Sequence, residues 1–131
     1  IKLLSAPSQV GATKMFRRLL NTEEWILMSK LTAAFKNKKA FIPFIAANDP
    51  DFEGTVNNVV ALAKGGADIV EIGIPFSDPI ADGPVIQAAD IRALKEDPDL
   101  PMDTIFDMVA EIRKQTDVPL AFLTYLNIVI Q

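Results

Sequence analysis

The chain has 131 residues, half of them hydrophobic, which is enough for one domain with a substantial core. Its formal net charge of −4 argues against a nucleic-acid partner. It contains no cysteine and no histidine, so thiol nucleophiles, disulfides and imidazole bases or metal ligands are excluded within it. Proton transfer in this chain must therefore use carboxylates, lysine or tyrosine.

The sequence shows no membrane or export signal. No apolar run reaches the roughly 18 residues of a membrane span. The basic N-terminal region lacks an apolar stretch followed by a small-residue cleavage site, so we read no signal peptide. These features predict a cytoplasmic protein without a membrane anchor.

The N-terminal region divides near Met28. Helices are predicted over Ala12–Leu20 and over Glu23–Lys36, the second preceded by polar residues that suit an N-cap. The stretch M-S-K-L at 28–31 is typical of a protein start. We therefore expect residues 1–27 to be an extension, either foreign to the protein or a genuine extra helix, and residues 28–131 to be the main domain.

Three apolar runs of strand length alternate with helical segments. The predicted strands are Ala40–Ala47, Ala67–Ile72 and Val118–Leu123, and Pro43 lies inside the first, where a central strand rarely has proline. A turn over Asn48–Asp51 offers N-cap residues for the first helix between strands. That helix is predicted to end near Lys64, because two glycines follow it.

Two helices are predicted between the second and third strands, one from about Val85 to Leu94 and one from Pro101 to about Lys114. The second has an apolar stripe at helical spacing, formed by Ile105, Met108, Val109 and Ile112. The resulting βαβ units predict a parallel α/β sheet. A closed α/β barrel needs eight strands and about 250 residues, so we expect the chain to be the first part of a larger fold.

The segment Glu71–Pro84 reads E-I-G-I-P-F-S-D-P-I-A-D-G-P. A carboxylate at the end of a buried strand, followed by a proline-stiffened acidic loop, is a common way to build a site in a β/α enzyme. Purely structural roles are the alternative: Glu71 could pair with a lysine or cap a helix, and Asp82 could be a turn residue. Asp78 could hold the loop by accepting backbone hydrogen bonds.

This segment resembles the signature of the tryptophan synthase alpha subunit family. Further stretches resemble the family in the same order, namely F-I-P-F-I at 41–45, D-P at 49–50, G-A-D at 66–68 and T-Y-L-N at 124–127. The resemblance covers Met28 to Gln131. It implies a TIM barrel, of which only the first three strands and their helices are present.

The resemblance also implies an activity, the cleavage of indole-3-glycerol phosphate to indole and glyceraldehyde 3-phosphate in tryptophan biosynthesis. It implies that Glu71 is the catalytic acid and base, and that Asp82 holds the indole N–H. Phe44, Leu123 and Tyr125 match positions at the indole pocket, although apolar strand residues more often simply pack in a core.

The resemblance further implies a partner, the beta subunit, in an alpha2beta2 tetramer. The surface facing it would be the loop of Pro75, Phe76, Ser77, Asp78 and Pro79. Pyridoxal phosphate belongs to the beta subunit, so the alpha chain needs neither cofactor nor metal. The strands that commonly bind phosphate are absent, so these 131 residues alone should be inactive. Two alternatives stay open, a stand-alone lyase and a non-catalytic module that docks on the beta subunit.

Overall fold

The computed structural model of the chain describes residues 30–36, 39–79 and 82–126. The predicted helix at 12–20 and the predicted extension over residues 1–27 lie outside this part. The helix predicted over 23–36 is described from residue 30, and residues 30–34 are helical.

Three parallel strands form one sheet in the order β1 (Phe44–Ala46), β2 (Val70–Gly73) and β3 (Leu120–Leu123). Each begins later than its apolar run predicts. Proline explains two of these boundaries, because Pro43 and Pro119 directly precede β1 and β3 and have no N–H to donate. Their carbonyl oxygens still accept from the N–H groups of Glu71 and Val70, both at 2.9 Å. The expectation that Pro43 lies within the first strand is therefore wrong.

The helices follow the predicted order as α1 (Phe52–Lys64), α2 (Pro84–Ala93) and α3 (Met102–Arg113). The N-cap of α1 is Asp51, whose side chain accepts from the N–H of Gly54 at 2.7 Å. Gly66 follows α1 with a φ of 95°, a conformation that favours glycine. Pro101 is the N-cap of α3 rather than its first helical residue.

The core lies between one face of the sheet and helices α1 and α3. Val70 and Ile72 point to this face, which we call the covered face. Of the predicted stripe on α3, three residues are buried and Val109 is partly buried against them. The core cluster consists of Ala47, Val56, Val59, Val70, Ile72, Ile74, Ile105, Met108, Ile112 and Val118.

The alternate strand residues point to the other face of the sheet, which we call the open face. The strand register sets Phe44, Glu71 and Ala121 side by side on it, with Gly73 beside Leu123 in the next row. Leu123 is 56% exposed. The open face is therefore the side of the sheet available for a site.

Candidate active site

The carboxyl ends of the three strands meet at one edge of the sheet, because the strands are parallel and in register. Ala46, Gly73 and Leu123 are the last residues of β1, β2 and β3, and they lie in one row. The loops that leave this row therefore come together, as they do at the ligand-binding edge of other parallel sheets.

A cavity of about 240 Å³ opens at this edge. Its lining includes four of the predicted site residues, Phe44, Asp82, Leu123 and Tyr125. The other lining residues are Gly73, Ile74, Ile86, Asp90 and Thr124. The structure thus brings together residues that are far apart in sequence.

Glu71 is not among the lining residues of this cavity. It is half-buried on the open face, two residues before Gly73, so the two Cα positions are about 6.6 Å apart along β2. In the neighbouring strand its register partner is Phe44, which does line the cavity. Glu71 therefore lies one row deeper on the same face as the cavity.

Gly73 makes room for the ring of Phe44. A Cβ atom at this glycine would come within 2.8 Å of Phe44 Cε2, and closer still to Cζ. The ring can therefore lie over β2 only because residue 73 has no side chain. Sequence reasoning missed this role, although a glycine at the end of an apolar strand is a signal for such a close approach.

Asp82 is held from two directions. The Tyr125 hydroxyl donates to Asp82 Oδ2 at 2.7 Å, and the Tyr125 ring stacks on Phe76 with centroids 4.7 Å apart and planes tilted by 34°. On the other side, Gln87 Nε2 donates to the Asp82 carbonyl oxygen at 2.8 Å. The backbone N–H of Asp82 also donates to Pro79 O at 3.2 Å and closes a turn. The Asp82 carboxylate thus has a fixed hydrogen-bond partner, Tyr125, at the cavity wall.

Asp90 on α2 is a cavity residue that sequence reasoning missed. It is only 6% exposed. Burial raises its pKa above the ordinary 3.8, and the nearby charge of Asp82 raises it further. A signal existed in the spacing of Ile86, Asp90 and Ala93, which sets a carboxylate on the inward stripe of a helix.

The C-terminal end of α2 is tied to the loop after β1. The Asn48 side chain donates from Nδ2 to Ala93 O at 2.7 Å, and Asn48 itself has a φ of 60°. Arg92 donates to both carboxylate oxygens of Asp49, from Nε at 2.9 Å and from Nη2 at 2.7 Å. The helix that contributes Ile86 and Asp90 is thus fixed by polar contacts to the loop that follows β1.

The predicted partner-facing loop has an inner and an outer side. Pro75 is buried and Phe76 is half-buried, whereas Ser77 and Asp78 are exposed. The outer side borders a second cavity of about 380 Å³, which lies between this loop and α2. The hydrogen bonds expected of Asp78 stay a prediction, because residues 80 and 81 lie outside the described part.

Within residues 30–36, 39–79 and 82–126, no group of three or more acidic side chains is arranged to hold a metal ion. In the same ranges no helix is long and apolar enough to cross a membrane. The cavity lining offers carboxylates, a phenol, and aromatic and aliphatic walls.

Comparison with known proteins agrees with this geometry. The tryptophan synthase alpha chain family profile matches residues 30–131. A curated tryptophan synthase alpha chain from Lacticaseibacillus casei is 69% identical over 104 residues, which cover 79% of this chain and 38% of the relative. One from Lactiplantibacillus plantarum is 60% identical over 104 residues, covering 79% and 39%.

Solved structures give the same result. The tryptophan synthase subunit alpha from Legionella pneumophila matches with a TM-score of 0.70 and 41% identity, covering 80% of this chain and 40% of that one. The tryptophan synthase a2b2 complex from Pyrococcus furiosus contains a chain with a TM-score of 0.64 and 41% identity, covering 70% and 36%. The chain spans about two-fifths of the length of the relatives it matches. These matches confirm the predicted fold class, the first three strands of a TIM barrel with their helices.

Proposed function

The chain belongs to the tryptophan synthase alpha chain family, and we propose on that premise that it forms part of an enzyme of tryptophan biosynthesis. The proposed reaction is the retro-aldol cleavage of indole-3-glycerol phosphate to indole and glyceraldehyde 3-phosphate. The observation that supports it best is the cavity at the strand ends, where Asp82 is fixed by Tyr125 on the same open face as Glu71.

Glu71 is the proposed acid and base. Cleavage requires a proton on the indole carbon that leaves and removal of a proton from the glycerol hydroxyl that becomes the aldehyde. One carboxyl group near both atoms can perform each transfer in turn. The described residues contain no competing histidine or cysteine, and Glu71 lies one row below the cavity.

Asp82 is the proposed electrostatic partner of the indole nitrogen. Positive charge develops on that nitrogen when the ring carbon is protonated, and a fixed carboxylate stabilises it. The hydrogen bond from Tyr125 orients Asp82 before substrate binds. Phe44 and Leu123 supply apolar walls that suit the indole ring.

The proposed partner is a beta subunit, in an alpha2beta2 assembly that binds pyridoxal phosphate on its beta side. The Pyrococcus furiosus complex that resembles this chain supports that assignment. The exposed residues Ser77 and Asp78 offer a contact surface beside the cavity. We further propose that the enzyme is cytoplasmic and that the alpha chain itself binds no cofactor.

The test uses a completed chain, in which these residues are joined to the part of the Lacticaseibacillus casei relative that lies beyond the matched segment. We expect Glu71→Gln to lower indole release by about 10²–10⁴-fold, because general acid and base catalysis is lost. Asp82→Asn keeps its size and should also be severely impaired, because it cannot balance the developing charge. The matched control is Glu96→Gln, whose side chain is 87% exposed.

The same assay separates the alternatives. Near-normal indole release by Glu71→Gln, with unchanged circular dichroism, would contradict the catalytic role and favour a docking module. Faster indole release on addition of a beta subunit supports the assembly. If the rate of indole release does not change when a beta subunit is added, the completed chain is a stand-alone lyase. The 131-residue chain by itself should release no indole.

A further inference from the structure

The backbone of Asp82 is anchored to α2 by the side chain of Gln87. Gln87 Nε2 donates to Asp82 O at 2.8 Å and to Pro79 O at 3.3 Å. Pro79 O also accepts from the backbone N–H of Asp82 at 3.2 Å. One half-buried side chain thus holds both ends of the turn that runs from residue 79 to residue 82.

The two contacts determine which end of the Gln87 amide faces the loop. Both facing atoms are carbonyl oxygens, which only accept, so the NH2 group must point towards them, and its two hydrogens match the two acceptors. In a capping box, a glutamate or glutamine of the first helical turn accepts from the N–H of the N-cap residue. Gln87 instead donates to carbonyl groups that precede Gly83, the N-cap of α2. Its side chain therefore acts on the chain ahead of the helix.

The residues that follow Asp82 offer few other groups that could hold it. Gly83 has no side chain, and an added Cβ atom there would meet no atom within 4 Å. Pro84 has no N–H to donate. The position of the Asp82 backbone therefore depends on hydrogen bonds from other side chains, and Gln87 supplies them from a regular helix.

We propose that Gln87 is a positioning residue: its two hydrogen bonds fix the backbone from which the Asp82 carboxylate projects, and so set the orientation in which that carboxylate meets Tyr125 and the substrate. Gln87 lines the second cavity, on the outer side of the loop, and is not among the lining residues of the cavity at the strand ends. It therefore acts on the reaction through Asp82. The catalytic consequence rests on the proposed function, whereas the orientation of Asp82 does not.

The variants remove the two donors and keep the helix. Gln87→Met has an unbranched side chain of similar length and no donor, so both carbonyl oxygens lose this partner. Gln87→Ala, which favours a helix and lets water reach the two oxygens, takes its place should Gln87→Met fail to fold. Arg92→Met is the matched control on the same helix, because it removes the bonds to Asp49, at 2.9 and 2.7 Å, and leaves those of Gln87.

The first measurement does not depend on activity. The completed chain is labelled with 3-fluorotyrosine, and the Tyr125 fluorine resonance is assigned by its loss in Tyr125→Phe. Because the Tyr125 hydroxyl donates to the Asp82 carboxylate, this resonance is sensitive to the position of that carboxylate. We expect it to move in Gln87→Met and to stay in place in Arg92→Met. A resonance that stays in place in folded Gln87→Met, or that moves equally in Arg92→Met, overturns the proposal.

The second measurement is indole release by the completed chain. We expect Gln87→Met to lower kcat on the order of tenfold and to change KM much less, because the Asp82 carboxylate stabilises a charge that develops only in the transition state. Arg92→Met should keep the kcat of the wild type. A loss in Gln87→Met that is confined to KM, or an equal loss of kcat in Arg92→Met, overturns the proposal.

The third measurement repeats the substitution in the Asp82→Asn background. Since Gln87 acts through the Asp82 carboxylate, Gln87→Met should lower kcat no further once that carboxylate is gone. A loss of the same size in both backgrounds overturns the proposal. A completed wild-type chain that releases no indole refutes the proposed function instead, and the fluorine measurement then decides the role of Gln87.

Discussion

The covered and open faces of the sheet use the same three strands for different purposes. On the covered face, Val70 and Ile72 are buried against the apolar sides of α1 and α3. On the open face, the alternate residues Glu71 and Gly73 lie beside a cavity and its carboxylates. Because successive strand residues point to opposite faces, stability and chemistry are separated by a single position in the sequence. Substitutions on the two faces should therefore have different kinds of effect.

The largest effect on stability is expected on the covered face. Ile112→Ala removes a fully buried side chain of α3 and should lower the free energy of unfolding by about 2–5 kcal/mol. Urea denaturation of the completed chain measures this loss, and indole release per folded molecule should not change. Ile91→Ala is the control, because Ile91 is 73% exposed and its removal should cost less than about 0.5 kcal/mol. Equal losses at both positions would contradict the burial of Ile112 in the core of the covered face.

A smaller effect is expected on the open face at Gly73. Gly73→Ala forces a Cβ against the Phe44 ring, and overpacking of this kind typically costs about 1–3 kcal/mol. The ring should be displaced into the cavity, so the KM for indole-3-glycerol phosphate should rise. Gly83→Ala is the matched control, because a Cβ there meets no atom within 4 Å. A Gly73→Ala variant that is less stable but has an unchanged KM would contradict the claim that Gly73 shapes the cavity on the open face.

The smallest effect concerns the pH dependence of stability. Burial, followed by the charges of Asp82 and Asp49, raises the pKa of Asp90 in the folded state above its ordinary 3.8. In the pH range between the ordinary pKa of the unfolded chain and the raised pKa of the folded chain, the folded chain binds more protons than the unfolded chain. Asp90 therefore lowers the free energy of unfolding as pH rises through this range. Asp90→Asn removes the penalty, so its stability relative to wild type should improve as pH rises above about 3.8.

Urea denaturation of both proteins at a series of pH values checks this sign. The difference should be smallest at the acidic end, where Asp90 is protonated in both states. A difference that stays constant with pH, or that changes in favour of the wild type, would contradict the environment described for Asp90.

The sequence was sufficient for those features that depend on neighbours along the chain. Short local patterns in the sequence predict the caps of α1, the apolar stripe of α3 and the alternation of strands and helices. The strand limits were less accessible, because they depend on which carbonyl and N–H groups find a partner in another strand. Pro43 reads as part of an apolar run, but it has no N–H to donate, and β1 begins at the residue after it.

The candidate site was accessible only in part, and for a related reason. Glu71 and Asp82 lie within one recognisable segment, whereas Tyr125 meets Asp82 across 43 residues of sequence. No local sequence pattern marks Asp90 as a cavity residue, and its place at the cavity wall appears only once α2 is packed beside the strand ends. Contacts between distant segments are products of the fold, so one sequence without its structure does not reveal them.

The polar ties of α2 have a consequence for the order in which the molecule opens. This helix buries small residues and one carboxylate, and it is attached through Asn48 and Arg92 rather than through a large apolar surface. Such an element has a low local free energy of opening, because water can replace its contacts at little loss. Backbone amides of α2 should thus exchange with deuterium before those of α1 and α3, and faster at high salt, where the Arg92–Asp49 pair is screened. We therefore expect α2, one wall of the cavity, to open locally while the sheet and its covered face stay folded.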